Sequence, residues 1–354
     1  LKSLGLKAED IYNVSDEKEC LDKIQELEFA MLVLDWEYGP HKVQQILQHN
    51  RKDSRLESHP VFLLAAHDEN AIISVAKEYY IHHISIGEVN SDTIREQVTA
   101  LVKEFVKVSP VRKMLIAVDV CKRAGDMVNA TEMLERLNML HPGNERVVIE
   151  LAECYIHNDE WDKAEDLLRS MLHLDDVAPR IKHLFARCRL KHNDYNTAIA
   201  ALKGAQLLSP FNTERLLEMG NLFLKMDRLE EAQEAFDDIL DFAPNAKDAS
   251  LGKSTAKLLM GDINEGLQIL NGIASPRELS AAFNTAAILA IRQQRYEAGI
   301  QLYQKALQLL AKKPKLVARI LYNVGIAYVK CSKPEKAMRA FEKAVETDPE
   351  FSDA

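Results

Sequence analysis

One spacing, of 34 residues, runs through most of this chain and limits the folds that it can adopt. Alanines recur at this spacing, glycines take the same place twice, and a last alanine follows after four extra residues. These small residues are Ala130, Ala164, Ala198, Ala232, Gly266, Gly299 and Ala337. A small residue at a fixed place lets two helices approach closely, and a repeat of this length is typical of stacked helical hairpins.

Two further residue types recur at fixed distances after the small residues. A bulky apolar residue follows each by four positions, namely Leu134, Leu168, Leu202, Phe236, Leu270, Tyr303 and Phe341. A proline follows four of them by twelve positions, at Pro142, Pro210, Pro244 and Pro349. A spacing of four places two side chains on one helix face, and proline ends a helix. Each unit is therefore predicted to be a pair of helices.

The fourth unit, residues 213–246, shows the whole pattern. Its small and apolar positions are Leu216, Met219, Gly220, Phe223, Ala232, Phe236 and Ile239, and it ends at Pro244. This pattern resembles the tetratricopeptide repeat (TPR) family, over about residues 111–351. The resemblance implies an all-α superhelical solenoid within a domain at 108–354, with first helices on the concave face. The predicted repeats are 111–144, 145–178, 179–212, 213–246, 247–279, 280–317 and 318–351.

Residues 1–107 have a different pattern, in which short apolar runs alternate with amphipathic stretches. The runs 29–35, 60–66 and 81–86 predict strands, and 17–27, 41–51, 70–79 and 92–106 predict helices. Strands that alternate with helices predict a parallel sheet with right-handed crossovers, and thus a doubly wound α/β domain. Three segments, LVLDW, FLLAAHDE and HHISIGEVNSDTI, resemble the receiver domain of bacterial response regulators.

That resemblance makes Asp35 the candidate phosphoacceptor, with Mg²⁺ as a cofactor only if this aspartate is phosphorylated. Receivers place a serine or threonine after the fourth strand and a lysine after the fifth, where this chain has Ala65 and Gly87. Neither residue offers a hydroxyl or a charge to a phosphoryl group. We therefore expect a degenerate receiver. The alternative reading of Asp35 is a loop or helix cap.

The first strand of a receiver, with the acidic pair that holds magnesium, is missing from the chain, and residues 1–5 resemble the end of the first helix. Either the polypeptide continues upstream, or the fold lacks an interior strand, which would leave backbone groups unpaired on both neighbours. We expect the upstream continuation. The last residues, PEFSDA, resemble the opening of another first helix, so we expect more chain, a partner or a second copy to cover that end.

Composition narrows the function classes. The chain has 47% apolar and 28% charged residues and no run long enough for a membrane anchor, so we expect a cytoplasmic protein without membrane insertion. The net charge is −9, most of it in residues 1–107, which argues against nucleic acid there. There is no Walker loop, GxSxG, HExxH or GxGxxG motif, so no enzymatic activity and no resident cofactor or metal are predicted.

Helical spacing indicates which side chains of the first helices face the groove. Eleven of them are Lys or Arg and four are Asp or Glu, so a basic stripe is predicted, suited to an acidic, partly apolar peptide or helix. The candidate partner-binding residues are Arg146, Arg180, His183, Arg187, Lys191, Asn221, Lys225, Asn284 and Tyr322. The alternative is a solvated face whose charges pair with acidic residues on the second helices.

The preferred function is a non-enzymatic signalling adaptor or scaffold that binds a protein partner through the groove, with the receiver-like domain for docking or input. The chief alternative is a response regulator in which phosphorylation of Asp35 changes partner binding. An enzyme is a third class, which would need an unrecognised site, and nucleic-acid binding through the basic groove is a fourth. Self-association is a further expectation. Asn221 and Lys225 match only part of the carboxylate clamp of chaperone-binding TPR proteins.

Overall fold

The computed structural model describes residues 12–26, 31–52, 59–67, 70–87, 90–106, 109–174, 177–271 and 273–351. The predicted helix end near residues 1–5 lies outside these ranges. The chain forms two compact units, Leu1–Asn212 and Thr213–Ala354. The first unit holds the α/β region, which we define as residues 12–106, together with the first three helical hairpins. The second unit holds the other four hairpins.

Three parallel strands form the sheet of the α/β region, in the order β1 (Leu32–Asp35), β2 (Val61–Ala65) and β3 (His83–Ile86). Four helices connect or flank them: α1 (Glu17–Glu26), α2 (Pro40–Lys52), α3 (Asn70–Glu78) and α4 (Ser91–Val106). Leu34 lies opposite Leu63, and Leu63 opposite Ile84. These elements agree with the predicted strands and helices to within a few residues.

The central strand β2 is buried on both faces, which is why its sequence is continuously apolar. Leu63 packs with the buried residues of α1, α2 and α3 on one side of the sheet. Phe62 packs with Val98 and Leu101 of α4 on the other side. This layering and strand order are compatible with the predicted receiver-like fold.

Fourteen helices in the described part of the chain follow the α/β region and alternate as first and second helices of hairpins. The first helices are α5 (Pro110–Arg123), α7 (Glu145–His157), α9 (Pro179–Lys191), α11 (Thr213–Lys225), α13 (Lys247–Met260), α15 (Pro276–Arg292) and α17 (Pro314–Lys330). The second helices are α6 (Met127–Leu140), α8 (Trp161–Arg169), α10 (Tyr195–Leu208), α12 (Leu229–Phe242), α14 (Ile263–Leu270), α16 (Tyr296–Leu309) and α18 (Pro334–Thr347). The prediction of helical hairpins is confirmed.

The repeated small residues lie where helices approach closely. Ala130, Ala164, Ala198 and Ala232 are all fully buried on second helices. A side chain at Gly299 would meet Ile291 of the preceding first helix at 2.7 Å. The four prolines each follow a second helix by two residues, as expected for residues that cannot continue it. The spacing of 34 residues is thus the spacing of these contacts.

Every hairpin turns between its helices through one residue with positive φ. The residues are Gly125, Asp159, Asn193, Asp227, Gly261, Gln294 and Ser332, with φ between 55° and 96°. Glycine adopts this left-handed conformation without strain, and aspartate and asparagine tolerate it better than most residues. The seven turns therefore share one backbone geometry although their residues differ.

The last two first helices are longer than the others. Helices α15 and α17 have 17 residues each, whereas the other first helices have 13 or 14. Helix α15 begins at Pro276, four residues before the predicted start of the sixth repeat. The Ser275 side chain accepts the backbone N–H of Glu278, and the Glu278 carboxylate accepts the backbone N–H of Ser275. This reciprocal capping fixes the earlier start.

Candidate functional site

The first helices of neighbouring hairpins lie side by side within each unit. In the first unit α7 packs against α9, and in the second unit α11, α13, α15 and α17 pack in succession. Each unit therefore presents a face made of first helices, and we call it the first-helix face. All nine candidate partner-binding residues belong to these helices, four of them in the second unit.

In the first unit, basic residues of the first-helix face are joined in ion pairs. Arg180 Nη2 lies 2.8 Å from Glu153 Oε1, and the Arg180 side chain is 9% exposed. Lys122 pairs with Glu150. Both acidic partners lie on α7, the neighbouring first helix in each case, whereas the solvated-face alternative placed them on second helices. Arg180 thus joins α9 to α7.

The other basic candidates of the first unit also have neighbours. Lys191 Nζ lies 2.8 Å from Asp159 Oδ1, in the turn of the preceding hairpin. The Arg146 guanidinium lies 4.7 Å from the centre of the Tyr80 ring, and Arg187 is half-buried. His183 is fully buried, and its Nδ1 lies 3.3 Å from Arg180 Nη1. The predicted ridge of basic residues is therefore largely packed or paired.

Arg146 also influences a partly buried histidine of the α/β region. His82 Nδ1 accepts the backbone N–H of Val61 at 3.1 Å, and its ring packs edge-on against Phe105 at 5.0 Å. Burial, followed by the charges of Arg112 and Arg146, lowers the pKa of His82 from 6.5 to about 4. Protonation of Nδ1 would replace this accepted hydrogen bond with a positive charge close to the guanidinium groups of Arg112 and Arg146.

We expect acid to destabilise the first unit through His82. The unfolded chain takes up the proton near pH 6.5 and the folded chain only near pH 4, so stability falls as the pH drops through this interval. Between pH 7 and pH 5 the loss is about 1–2 kcal/mol. Urea unfolding at both pH values measures it. His82→Gln should reduce the difference, whereas His67→Gln, at an exposed position, should leave it unchanged; equal effects of the two variants would contradict the assignment.

In the second unit, Lys253 and Lys257 of α13 are paired with acidic residues, but four basic residues of the other first helices are not so paired in the described part of the chain. Lys225, Arg292, Arg319 and Lys330 are exposed. None of the four has an ion-pair partner among the residues that the structure describes. Asn221 is exposed one helical turn before Lys225. This part of the face therefore offers accessible positive charge.

Arg295 brings the ends of three first helices of this unit together. Its Nη1 donates to the Leu259 carbonyl at 3.1 Å, and its Nη2 lies 2.9 Å from Asp227 Oδ1. Gln293 Nε2 donates to the Leu224 carbonyl at 3.2 Å. The carboxyl ends of α11, α13 and α15 therefore meet at one edge, which carries the adjacent Lys225 and Arg292. Sequence reasoning missed Arg295, because nothing in the repeat pattern marks a contact across two hairpins.

Asn284 and Tyr322 have structural contacts of their own. The Asn284 amide oxygen accepts the Tyr303 hydroxyl at 3.1 Å and the Asn323 amide at 2.7 Å, which links α15, α16 and α17. The Tyr322 ring lies 5.5 Å from Phe341 and 5.6 Å from Phe351. On the same helix as Tyr322, the Ile326 and Val329 side chains are 37% and 57% exposed. The last two hairpins therefore combine exposed apolar and basic residues.

Asp35 lies at the carboxyl end of β1 and is exposed. Its Oδ1 accepts the backbone N–H of Glu37 at 3.0 Å, so the side chain caps the 3₁₀ helix Trp36–Tyr38. The Glu37 carboxylate in turn accepts the backbone N–H of Ala66 at 3.2 Å. Within the described ranges, Asp35 belongs to no cluster of three carboxylate, imidazole or thiolate ligands.

Two models of the tetratricopeptide repeat match residues 123–188, 189–249 and 278–350, together more than half of the chain. The chain belongs to the tetratricopeptide repeat family. The matched residues of this TPR protein do not include the α/β region. Across the described residues, no helix is both long and apolar enough to span a membrane.

Two curated relatives are similar over part of this TPR protein. BBSome complex member BBS4 from Bos taurus is 25% identical over 230 residues, which are 63% of this chain and 42% of the relative. Protein O-mannosyl-transferase TMTC1 from Homo sapiens is 22% identical over 161 residues, which are 45% of this chain and 17% of the relative. The chain thus spans less than half the length of either protein.

Solved structures of TPR proteins are similar to most of the chain. A tetratricopeptide repeat protein from Parabacteroides merdae is 18% identical, covers 68% of this chain and 94% of its own, and has a TM-score of 0.49. YrrB, described as a TPR protein with an unusual peptide-binding site, is 15% identical, covers 62% and 95%, and has a TM-score of 0.38.

Proposed function

We propose that this TPR protein is a non-enzymatic scaffold that holds a protein partner on the first-helix face of its last four hairpins. The partner is an acidic, partly apolar peptide or helix. A row of stacked hairpins suits this role, because each hairpin contacts only its neighbours and the row presents an extended surface.

The observation that carries the proposal is the difference in charge pairing between the two units. Lys122, Arg180 and Lys191 of the first unit are engaged by acidic residues of the chain itself. The four exposed basic residues of the second unit, Lys225, Arg292, Arg319 and Lys330, are not so engaged within the described residues. Exposed charge beside exposed apolar side chains is the composition expected of a surface that binds a partner with the opposite charge.

The curated relatives support a scaffold more than an enzyme. BBS4 is a member of a complex, and the similarity to it extends over 63% of this chain. TMTC1 is a transferase, but the similarity covers only 17% of that protein. For the α/β region we propose a degenerate receiver-like domain, at 1–107, that serves docking or input in a cytoplasmic signalling pathway. The repeats would then form the second domain, at 108–354.

Phosphorylation of Asp35 is the weaker proposal. The aspartate is exposed at the edge of the sheet where receivers place their phosphoacceptor, but its Oδ1 is already used as a cap. The chain has Ala65 and Gly87 where a phosphoryl group would need a hydroxyl and a cation. A role without phosphorylation fits these residues better.

Charge reversal tests the proposed face. The full chain is immobilised and used to enrich peptides from a library of acidic sequences with apolar residues, and the enriched peptide is titrated against variants. We expect Arg292→Glu combined with Lys330→Glu to weaken binding at least tenfold, because two attractive charges become repulsive.

The matched control is Arg339→Glu combined with Lys343→Glu, which makes the same change of charge at exposed positions of α18, a second helix. This variant should bind the peptide within about twofold of the parent. Equal weakening by both pairs would mean that net charge alone attracts the peptide. Failure to enrich any acidic peptide would remove the proposed partner class.

A further inference from the structure

In the first unit, the end of α3 packs against the hairpins. Helix α3 contacts α9 and α10, and Tyr80 packs against the hydrophobic core of the first three hairpins. The repeat residues on the other side of this contact are 144–146 at the start of α7, residues of α9, and 209–212 after α10. We call these three segments the docking surface.

A carboxylate and a phenol of the α/β region are bound by one side chain of the docking surface. The Asn212 amide nitrogen donates to Glu78 Oε1 at 2.9 Å and to the Tyr79 hydroxyl at 3.1 Å. Glu78 is fully buried, Asn212 is 3% exposed and Tyr79 is 8% exposed. The Asn212 amide thus binds a carboxylate and a hydroxyl on adjacent residues.

Two more contacts surround this pair. The Gln48 amide nitrogen donates to the Tyr79 hydroxyl at 3.2 Å, and the Ser209 hydroxyl lies 3.4 Å from Gln44 Oε1. Ser209 and Gln44 are both fully buried. A buried polar network costs free energy unless its members meet in the right geometry, so it fixes the orientation of a contact more than it strengthens it.

Tyr80, which follows Glu78 and Tyr79, contacts a cation of the docking surface. The Arg146 guanidinium lies over the Tyr80 ring, 4.7 Å from its centre, an arrangement that is attractive when both groups are shielded from water. On the docking surface, the Asn212 amide therefore binds both Glu78 and Tyr79, and the Arg146 guanidinium contacts Tyr80. Such a set resembles a binding site more than the incidental packing of two domains.

Charge supports the same interpretation. Residues 1–107 carry most of the net charge of −9. The hairpins of the first unit place Arg112 over the Phe105 ring and Arg146 over the Tyr80 ring of the α/β region. The sequence predicted an acidic, partly apolar partner for this basic face, and the acidic α/β region is such a partner within the same chain.

We infer that the docking surface is a binding site for a helix end that presents a carboxylate followed by two tyrosines, and that residues 78–80 of this chain occupy it. The site consists of residues other than those of the face proposed for the last four hairpins. A protein with the same helix end would compete with the α/β region for it. Release of the α/β region would open a second partner site.

The test weakens the contact of residues 78–80 with the docking surface by substitution and then adds the original segment as a separate peptide. Glu78→Gln combined with Tyr80→Ala, in the full chain, changes the occupant and leaves the docking surface intact. A synthetic peptide of residues 70–82 with the original sequence is then titrated. We expect binding to the variant at least tenfold tighter than to the parent, whose site is filled. Adding Arg146→Ala to the variant should remove this gain.

Hydrogen exchange supplies the second measurement. In the variant, amides of residues 144–148 and 178–183 should exchange at least tenfold faster, while β2 amides keep their protection. The matched control is Glu96→Gln combined with Tyr12→Ala, at two exposed positions, which should change neither binding nor exchange. A variant with unchanged exchange at the docking surface and no peptide binding would overturn the inference. Loss of protection in β2 to the same extent would also overturn it, because the occupant would then not be separable from the fold.

Discussion

Replacing Phe236 with alanine is expected to lower the free energy of unfolding of the second unit by about 3–5 kcal/mol. The Phe236 ring is fully buried. It lies against two glycines, Gly220 of α11 and Gly252 of α13. A Cβ at these glycines would stand 2.6 Å and 2.4 Å from ring carbons of Phe236. The ring therefore fills a space that both glycines leave open, and its removal creates a cavity between three helices. Urea unfolding, followed by helical circular dichroism, measures the loss.

Glycine variants give the control for this result. Gly252→Ala is expected to destabilise the second unit by about 1–3 kcal/mol, because the ring is rigid and enclosed. Gly204→Ala, in α10, is expected to be neutral or slightly stabilising, since the nearest atom is 3.9 Å away at the end of the Lys182 side chain. Combining Phe236→Ala with Gly252→Ala should cost less than the sum of the two. A neutral Gly252→Ala variant would contradict the close approach.

Replacing Arg180 with alanine is expected to destabilise the first unit by about 3 kcal/mol. The Arg180 side chain is 9% exposed and its Nη2 and Nε lie 2.8 Å and 3.0 Å from Glu153 Oε1. Removal of the guanidinium leaves a partly buried carboxylate without this partner, and that desolvation dominates the cost. The measurement is urea unfolding of the full chain, with the first unit followed by hydrogen exchange in α7 and α9.

Lys191→Ala is the matched control, since it removes a basic residue of the same helix from another ion pair. The side chains of Lys191 and Asp159 are 49% and 76% exposed, so the change should cost less than about 1 kcal/mol. Comparable losses for the two variants would show that Arg180 is held no more firmly than a surface residue. The comparison also separates the two roles considered for Arg180, since a partner-binding residue would affect affinity more than stability.

The hairpins were predictable because close helix packing requires a small residue at particular positions of the sequence. Ala164 and Ala198 must be small for the helices to approach, and the same demand returns every 34 residues. The strands were predictable for a similar reason, since β2 is apolar throughout when both faces of the sheet are covered. The early start of α15 was also readable, because Ser275 and Glu278 have the spacing of a capping box.

Contacts between distant residues were not predictable in the same way. The pattern placed Arg180 on an inner face, but it could not show that Glu153, 27 positions earlier, would neutralise it. Gln293 binds a carbonyl 69 positions away, and Asn212 binds a carboxylate 134 positions away. The 34-residue repeat pattern reflects only the contacts between neighbouring hairpins. It contains no information on residues that meet only after several hairpins have stacked.

The shared turn geometry has a consequence for how this chain can change length. Because each turn has only two or three residues and one of them is left-handed, an inserted residue cannot be accommodated there without changing the turn geometry. The longer helices α15 and α17 show the alternative: each exceeds the shortest first helices by four residues, close to one helical turn. Evolutionary insertions and deletions in such a protein should therefore come in steps of three or four residues at the amino ends of first helices, and seldom at the corners.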